Sequence, residues 1–431
     1  MWTKMILSVL AAMEIGFLVW DLVSKTTHYR LKTAARFGLA AVLSLLMLLG
    51  VLQGFSRYAG IIGMLTVMGL VSLFSLRKKG EREITQPSRR VWRTVGSVLL
   101  YLTFLMPAVV FPQFKEIPVT GDLPIQTALY TWTDESRAET FVSSGEKRRI
   151  TVQFYYPAAA GRYPLVVYSH GACATMDAND STCRELASHG YVVAAVAHPY
   201  HAMFVKDADG VTTTVDPAFM QLAMSGPLTH TNEEMLAYYK EWMKTRTDDL
   251  HFVLDMILNR AGKNEAEVFA RIDPQHIGLF GHSMGGAACE ALGRQRDDID
   301  AVIVLEGMML GELTGTDEIG FTYGNTPYPL PLLDINSDSI ASRGMEQMFG
   351  SREYVNFNVV KNGTDAREVT FRNAAHMNFC DLPTVSPVMA SLFGVGSRDP
   401  RDCIITVNDI VTEYFDHYLK GESPLDIAEE Y

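Results

Sequence analysis

The residues with the clearest chemical potential lie in Gly281-His282-Ser283-Met284-Gly285-Gly286, a G-x-S-x-G motif. An apolar run, His276–Phe280, precedes it, and a small-residue run suited to a helix, Ala287–Leu292, follows. Strand, sharp turn and helix is the setting that lifts a serine hydroxyl clear of a sheet edge and aims a helix N-terminus at developing negative charge. A serine hydroxyl is a weak nucleophile until a base takes its proton. Of the eleven histidines, His376 fits that role best, because it follows the late strand Glu368–Phe371. His417 sits in an amphipathic helix and reads as a surface residue, and His282 adjoins the serine and reads as structural. Two carboxylates could orient the imidazole: Glu306, which ends the strand Ala301–Leu305, and Asp338, which follows Pro329–Ile335. An oxyanion needs two backbone N–H groups. Met284, next to the nucleophile, would give one, and Ala172, in the Ser169-His170-Gly171-Ala172 turn, the other.

The surrounding elements must hold these groups together. From about residue 128 to 431, short apolar runs alternate with helical segments: Arg149–Tyr156, Pro164–Ser169, Tyr191–Val196, His276–Phe280, Ala301–Leu305 and Pro329–Ile335. That alternation predicts an α/β domain, a mostly parallel sheet with helices on both faces. Arg149–Tyr156 ends at Pro157 and reads as an edge strand. A helical insertion, 201–264, carries Met203-Phe204, Pro217–Met220 and Met224, residue types that suit an acyl-binding wall or lid and equally the ordinary packing of a cap. The closing helix is Val407–Leu419.

Ahead of this lie four apolar stretches, about 5–23, 37–55, 60–76 and 95–112, each near the length a helix needs to cross a bilayer. Residues 1–112 form the expected transmembrane domain and 113–127 a Pro/Gly-containing linker. Residues 1–112 hold 13 Lys+Arg against 4 Asp+Glu, net +9, whereas the rest holds 24 against 45, net −21. Basic residues concentrate between the first and second spans and between the third and fourth. The positive-inside rule then puts both loops in the cytoplasm and both termini outside. The expectation is a multi-pass protein of the cell membrane with an extracytoplasmic acidic domain. An acidic domain argues against nucleic acid as a partner. Glu14 interrupts the first span; pairing within the bundle is its plain reading and a functional role the sharper one. Five scattered cysteines show no metal-ligand spacing and no disulfide framework.

With these residues in view, the chain resembles the platelet-activating factor acetylhydrolase family, the plasma and intracellular type II enzymes and their bacterial relatives. The stretches that carry the resemblance include Tyr163–Gly171 (YPLVVYSHG), Glu185–His198 (ELASHGYVVAAVAH), GHSMGG and His376-Met377-Asn378-Phe379-Cys380-Asp381. The resemblance implies an α/β-hydrolase fold and calcium-independent serine esterase chemistry, with no cofactor. It implies Ser283 as nucleophile, His376 as base, and Met284 and Ala172 as oxyanion donors. The family's acid position falls on Val304-Leu305-Glu306-Gly307-Met308, with glutamate in place of aspartate, which favours Glu306 over the alternative acid Asp338. The expected function is a membrane-anchored hydrolase of short-chain acyl esters, platelet-activating-factor-like or oxidised phospholipids among them. Rival readings are an acyltransferase, a polyester hydrolase with the same triad, and a non-catalytic membrane-anchored scaffold.

Overall fold

The computed structural model describes residues 2–263, 265–340, 348–422 and 424–431. Asn264, the expected end of the insertion, lies outside the described residues. Contacts divide the chain into two units, Met1–Lys115 with Thr384–Leu392, and Glu116–Pro383 with Phe393–Tyr431.

The first unit holds four long helices, α1 (Trp2–Ser24), α2 (Tyr29–Leu48), α3 (Phe55–Lys79) and α4 (Pro87–Val110), besides most of the short helix Pro387–Phe393. All four are long and apolar enough to cross a membrane, by length and composition. They run past the apolar stretches into the basic flanks, because a helix already satisfies its own backbone there. Pro87 starts α4, where its missing N–H has no helical partner to lose. The second helix lies earlier than the expected 37–55: it starts at Tyr29, and the chain turns after Leu48 through Gly50 and Gly54, both at positive φ. Large apolar side chains such as Ile15, Val19, Leu45, Val71, Phe74 and Leu99 face outward.

Charge is buried inside this bundle. Arg36 donates to Glu14 Oε1 from Nε at 3.1 Å and Nη2 at 2.6 Å. Tyr101 donates to the same oxygen at 2.8 Å, and Arg36 Nη1 donates to Ser72 Oγ at 2.6 Å. One residue from each helix thus joins a single network, and Glu14 pairs within the bundle. Near one end, buried Asp21 accepts from His28 Nδ1 at 2.9 Å and Lys32 Nζ at 2.5 Å.

The second unit is built on an eight-stranded sheet. Its strands are β1 (Ile125–Ala138), β2 (Lys147–Pro157), β3 (Tyr163–Ser169), β4 (Val192–Ala197), β7 (Ile272–His282), β8 (Ala301–Leu305), β11 (Leu332–Ser337) and β12 (Ala366–Phe371). Two hairpins lie outside it, β5 (Phe204–Lys206) with β6 (Thr212–Thr214), and β9 (Leu313–Thr316) with β10 (Phe321–Tyr323). The sheet order is β1-β2-β4-β3-β7-β8-β11-β12. β1 with β2 and β2 with β4 are antiparallel; every other pair is parallel.

The strand expected at the edge, Arg149–Tyr156, is internal. The edge belongs to β1, whose polar sequence Thr131-Trp132-Thr133-Asp134-Glu135-Ser136-Arg137 gave little apolar signal. β1 also starts at Ile125, inside the expected linker 113–127. β4 shows why the apolar runs are unbroken: Val192, Ala194 and Val196 join one core, and Val193 and Ala195 the other. A strand covered on both faces has no polar side to alternate with. One core includes residues of α6 (Pro217–Thr229), α7 (Asn232–Leu258) and the elbow helix Met284–Gly293. The other includes α5 (Asp180–Ser188) and the helix Pro400–Phe415.

Removing the Glu14 carboxylate leaves Arg36 buried without its counter-charge, a loss of about 3–5 kcal/mol for a buried pair. Glu14→Ala should therefore unfold at a clearly lower temperature than wild type in detergent, and Glu14→Gln should lie between them. Equal melting of all three would show that the pair adds nothing.

Candidate active site

The site assembles where the parallel strands end. β7 runs into Ser283, whose backbone takes φ 56° and ψ −126°, and the elbow helix starts at Met284. A non-glycine residue in this region is strained and persists only where its surroundings hold it. Two contacts do so. Ser283 N–H donates to Leu305 O at 2.8 Å, and the motif glycines let the helix press onto the sheet. A Cβ on Gly285 would stand 2.0 Å from Ser169 O, and one on Gly281 2.3 Å from Gly285 C. No side chain fits at either position.

The expected oxyanion loop reaches the same place. A Cβ on Gly171 would lie 3.3 Å from Ser283 Cβ, so the loop passes in contact with the serine. The N–H groups of Ala172 and Met284 donate to no backbone acceptor among the described residues. Ser283 and Ala172 are both partly exposed.

His376 begins a short helical turn, His376–Phe379, that several bonds fix. Asn378 Oδ1 accepts from Ala375 N–H at 3.0 Å and Gly396 N–H at 2.7 Å. Asn179 Nδ2 donates to Phe379 O at 2.8 Å, and Asp381 accepts from Ser181 N–H at 2.8 Å. His282 Nε2 donates to His376 O at 3.0 Å, and the two rings lie 4.6 Å apart between centroids. His282 thus braces the turn that carries His376.

The two candidate acids occupy different settings. Glu306 follows β8 at φ 50° and is buried. Its carboxylate accepts from Ser337 N–H at 2.5 Å and Ser337 Oγ at 2.7 Å. A Cβ on the next residue, Gly307, would stand 2.3 Å from Ser283 O, so this loop packs directly on the Ser283 backbone. Asp338 is exposed and accepts from Asn373 N–H at 2.9 Å, which ties the turn ahead of His376. Asp334 lies within β11 and is fully buried; it accepts from Asn336 Nδ2 at 2.6 Å and Asn356 Nδ2 at 3.0 Å. Burial pushes its carboxyl up to about 8; the two amides oppose this, while the charges of Glu368 and Glu306 add to it. His417 belongs to a turn of π-helix, Asp416–Lys420, beyond the helix Pro400–Phe415.

Beneath the expected oxyanion loop lies a polar cluster that no sequence motif marks. Ser169 Oγ and His198 Nε2 are 2.9 Å apart, and His198 Nδ1 meets Asp249 Oδ2 at 2.9 Å. Arg148 donates to both Asp249 oxygens at 2.7 Å. Burial acts to raise the Asp249 carboxyl, but the Arg148 charge and hydrogen bonds outweigh it and hold it well below the usual carboxylate range. Burial, reinforced by the nearby Arg246 charge, lowers His198 to about 4, so its ring is neutral at pH 7. Arg246 and Asp249 interrupt the apolar stripe Met235, Tyr239, Trp242, Met243, Leu250, Val253, Leu254 and Ile257 of α7. Charges in the core phase of a helix are the signal that marks them.

These features coincide with a sequence match to the family described as platelet-activating factor acetylhydrolase, isoform II, over residues 151–425. The chain belongs to the platelet-activating factor acetylhydrolase family. It is 24% identical to a platelet-activating factor acetylhydrolase of Gallus gallus over 286 residues, covering 62% of this chain and 64% of that protein. The corresponding protein of Bos taurus is 24% identical over 291 residues, covering 62% of this chain and 59% of the relative. The chain thus spans less than two thirds of the length of these family relatives. Cutinase 1 of Thermobifida cellulosilytica is 27% identical over 151 residues, covering 35% of this chain and 42% of the cutinase. Among solved structures, a ferulic acid esterase from Streptomyces cinnamoneus superposes with a TM-score of 0.54 at 22% identity. That match covers 72% of this chain and 95% of the esterase, and it establishes the shared fold.

A carboxyl whose folded-state pKa lies above its unfolded value keeps its proton when folded and releases it on unfolding. The stability it contributes is complete below about pH 4, the unfolded aspartate value, and is lost as pH rises through about 8 in the folded state. Asp334→Asn lacks this titration. The melting temperature of Asp334→Asn minus that of wild type should therefore rise between pH 5 and pH 8.5, by about 3 °C or more. A constant difference would show that Asp334 does not hold its proton in this way.

Proposed function

We propose that this protein is a membrane-anchored serine ester hydrolase. The observation that carries this reading is Ser283 on its strained turn at φ 56°, with the N–H groups of Ala172 and Met284 open beside it. Membership of the family adds the reaction class. In this scheme Ser283 attacks the acyl carbon while His376 takes the hydroxyl proton. The carbonyl oxygen gains the negative charge, and the N–H groups of Met284 and Ala172 stabilise it. His376 then protonates the leaving alcohol, and an acyl-serine remains. Water, deprotonated by His376, attacks that acyl group; the acid leaves and the serine regains its proton. No metal or redox group is needed.

Glu306 is the acid of the proposed triad. It is buried behind the nucleophile and two donors from Ser337 hold it, as an orienting carboxylate should be held. Asp338 is instead a tie to the Asn373 backbone. The proposed substrates are short acyl esters, with platelet-activating-factor-like and oxidised phospholipids the lipid members of that class. Relatives named 1-alkyl-2-acetylglycerophosphocholine esterase and cutinase favour this class, and the cutinases favour polyester as a second reading of the same site. The four apolar helices support anchoring in a bilayer. Lys25, Arg30 and Lys32, where α1 meets α2, and the basic residues from Arg77 to Arg93, where α3 meets α4, support a cytoplasmic location for those turns, and hence an extracytoplasmic hydrolase domain.

Ser283→Ala should abolish hydrolysis of a short-chain nitrophenyl ester and labelling by a fluorophosphonate probe; retained activity refutes the scheme. Glu306→Gln should lower kcat by about 10³–10⁴-fold, whereas Asp338→Asn should keep most turnover. The reverse ranking would assign the acid to Asp338. A reporter fused after Tyr431 that is active only in the cytoplasm would overturn the topology.

A further inference from the structure

Among the described residues, Arg246 is the largest fully buried side chain. Burial lowers its pKa to about 10, so it remains a cation at neutral pH. Among the described residues no carboxylate lies within ion-pair distance of it. Its guanidinium instead meets the backbone of the oxyanion loop. Nη1 donates to His170 O, Nη2 donates to Gly171 O at 3.3 Å, and Nε faces His201 Nδ1 at 3.4 Å. A buried guanidinium without an ion pair is costly, and a helix core position is ordinarily apolar. Something specific must hold an arginine at this place.

The histidine beside it has a defined tautomer. His170 Nε2 lies 3.1 Å from His198 N–H, a group that can only donate. That nitrogen must therefore be unprotonated, and the proton sits on Nδ1, which then donates to Gly171 O at 2.7 Å. Burial and the Arg246 charge keep this ring neutral, so the tautomer is retained at working pH. Gly171 O thus receives His170 Nδ1–H, Arg246 Nη2–H and the N–H of Ala174, the last at 3.3 Å.

Gly171 O and Ala172 N–H belong to one peptide unit. Among the described residues no peptide bond is cis, so the two groups point in opposite directions from a rigid plane. Whatever grips the carbonyl aims the N–H. We propose that Arg246, together with His170, is a positioning residue that clamps the Gly171–Ala172 peptide so that its N–H is preorganised for the oxyanion. This rests on the Ser283 esterase reading and extends it to a residue on α7, 37 positions before the nucleophile.

The clamp predicts a signature that general loosening of the fold would not give. A thionoester presents sulfur, a weak hydrogen-bond acceptor, in place of the carbonyl oxygen. Its hydrolysis draws little on the oxyanion donors, so misaiming one should matter little. Full-length protein in detergent would be assayed with a nitrophenyl ester and its thiono counterpart, comparing wild type, Arg246→Lys and His170→Gln. Arg246→Lys keeps the buried charge but not the fork that spans two carbonyls, and His170→Gln leaves Arg246 in place. Circular dichroism and melting would check that each variant is folded.

Losing an aimed oxyanion donor lowers kcat by about 10²–10³-fold. That loss is expected on the oxygen ester with KM little changed, and a loss of less than about fivefold on the thionoester. Equal losses on both esters in a folded variant, or no loss on the oxygen ester, would overturn the clamp. If wild type shows no turnover that depends on Ser283, the esterase reading itself fails and the clamp with it.

Discussion

The site depends on how closely two backbones approach. The carbonyl of Ser169, at the end of β3, and the first turn of the elbow helix share a space in which no Cβ fits at residue 285. That approach sets Ser283 at the point where β7 stops, in contact with the loop that follows β3. Leu305 holds the serine's N–H, and Gly307 passes against its carbonyl. Three segments from distant parts of the sequence, residues 169–171, 281–285 and 305–307, therefore converge on one residue. The strain of a positive φ at Ser283 is borne by this packing, because the strands beneath it are buried on both faces and cannot shift independently.

Beneath the loop, polar groups are arranged so that each has a partner. Asp249 takes two bonds from Arg148 and one from His198, and His198 in turn meets Ser169. Buried charge is tolerated where it is both paired and hydrogen-bonded. The set has the residue types of a serine–histidine–aspartate relay, yet no member is exposed. A relay that no substrate can reach serves as a scaffold, and it ties α7 to the ends of β3 and β4.

Much of this was legible in the sequence, for stated physical reasons. β3, β4, β7 and β8 read as short apolar runs because both of their faces are covered. The motif around Ser283 was legible because only glycine can sit at 281 and 285. β1 was missed because one side of an edge strand needs no apolar residues, and Trp132 is its one fully committed core side chain. The displacement of α2 has a similar origin, since hydropathy alone does not see a helix continue from Tyr29 through Arg30 and Lys32. Arg246 and Asp249 left a trace, as charges in the apolar stripe of α7. What they bind, the backbone carbonyls of a loop about 75 residues away for Arg246 and the side chains of Arg148 and His198 for Asp249, depends on tertiary contacts such as Arg246 Nη2 to Gly171 O. No spacing rule encodes that.

In the membrane-anchored form proposed above, the network that joins Glu14, Arg36, Ser72 and Tyr101 bears on biogenesis. The carboxylate emerges with the first helix, before any of its three partners has been synthesised. A lone acidic side chain is poorly tolerated at mid-bilayer. The first segment must therefore stay beside the insertion machinery, or in contact with water, until its basic neighbour arrives on the second. The tyrosine that completes the set is supplied only by the fourth. Release of the segments into lipid one by one is disfavoured, and their joint release is what this wiring selects.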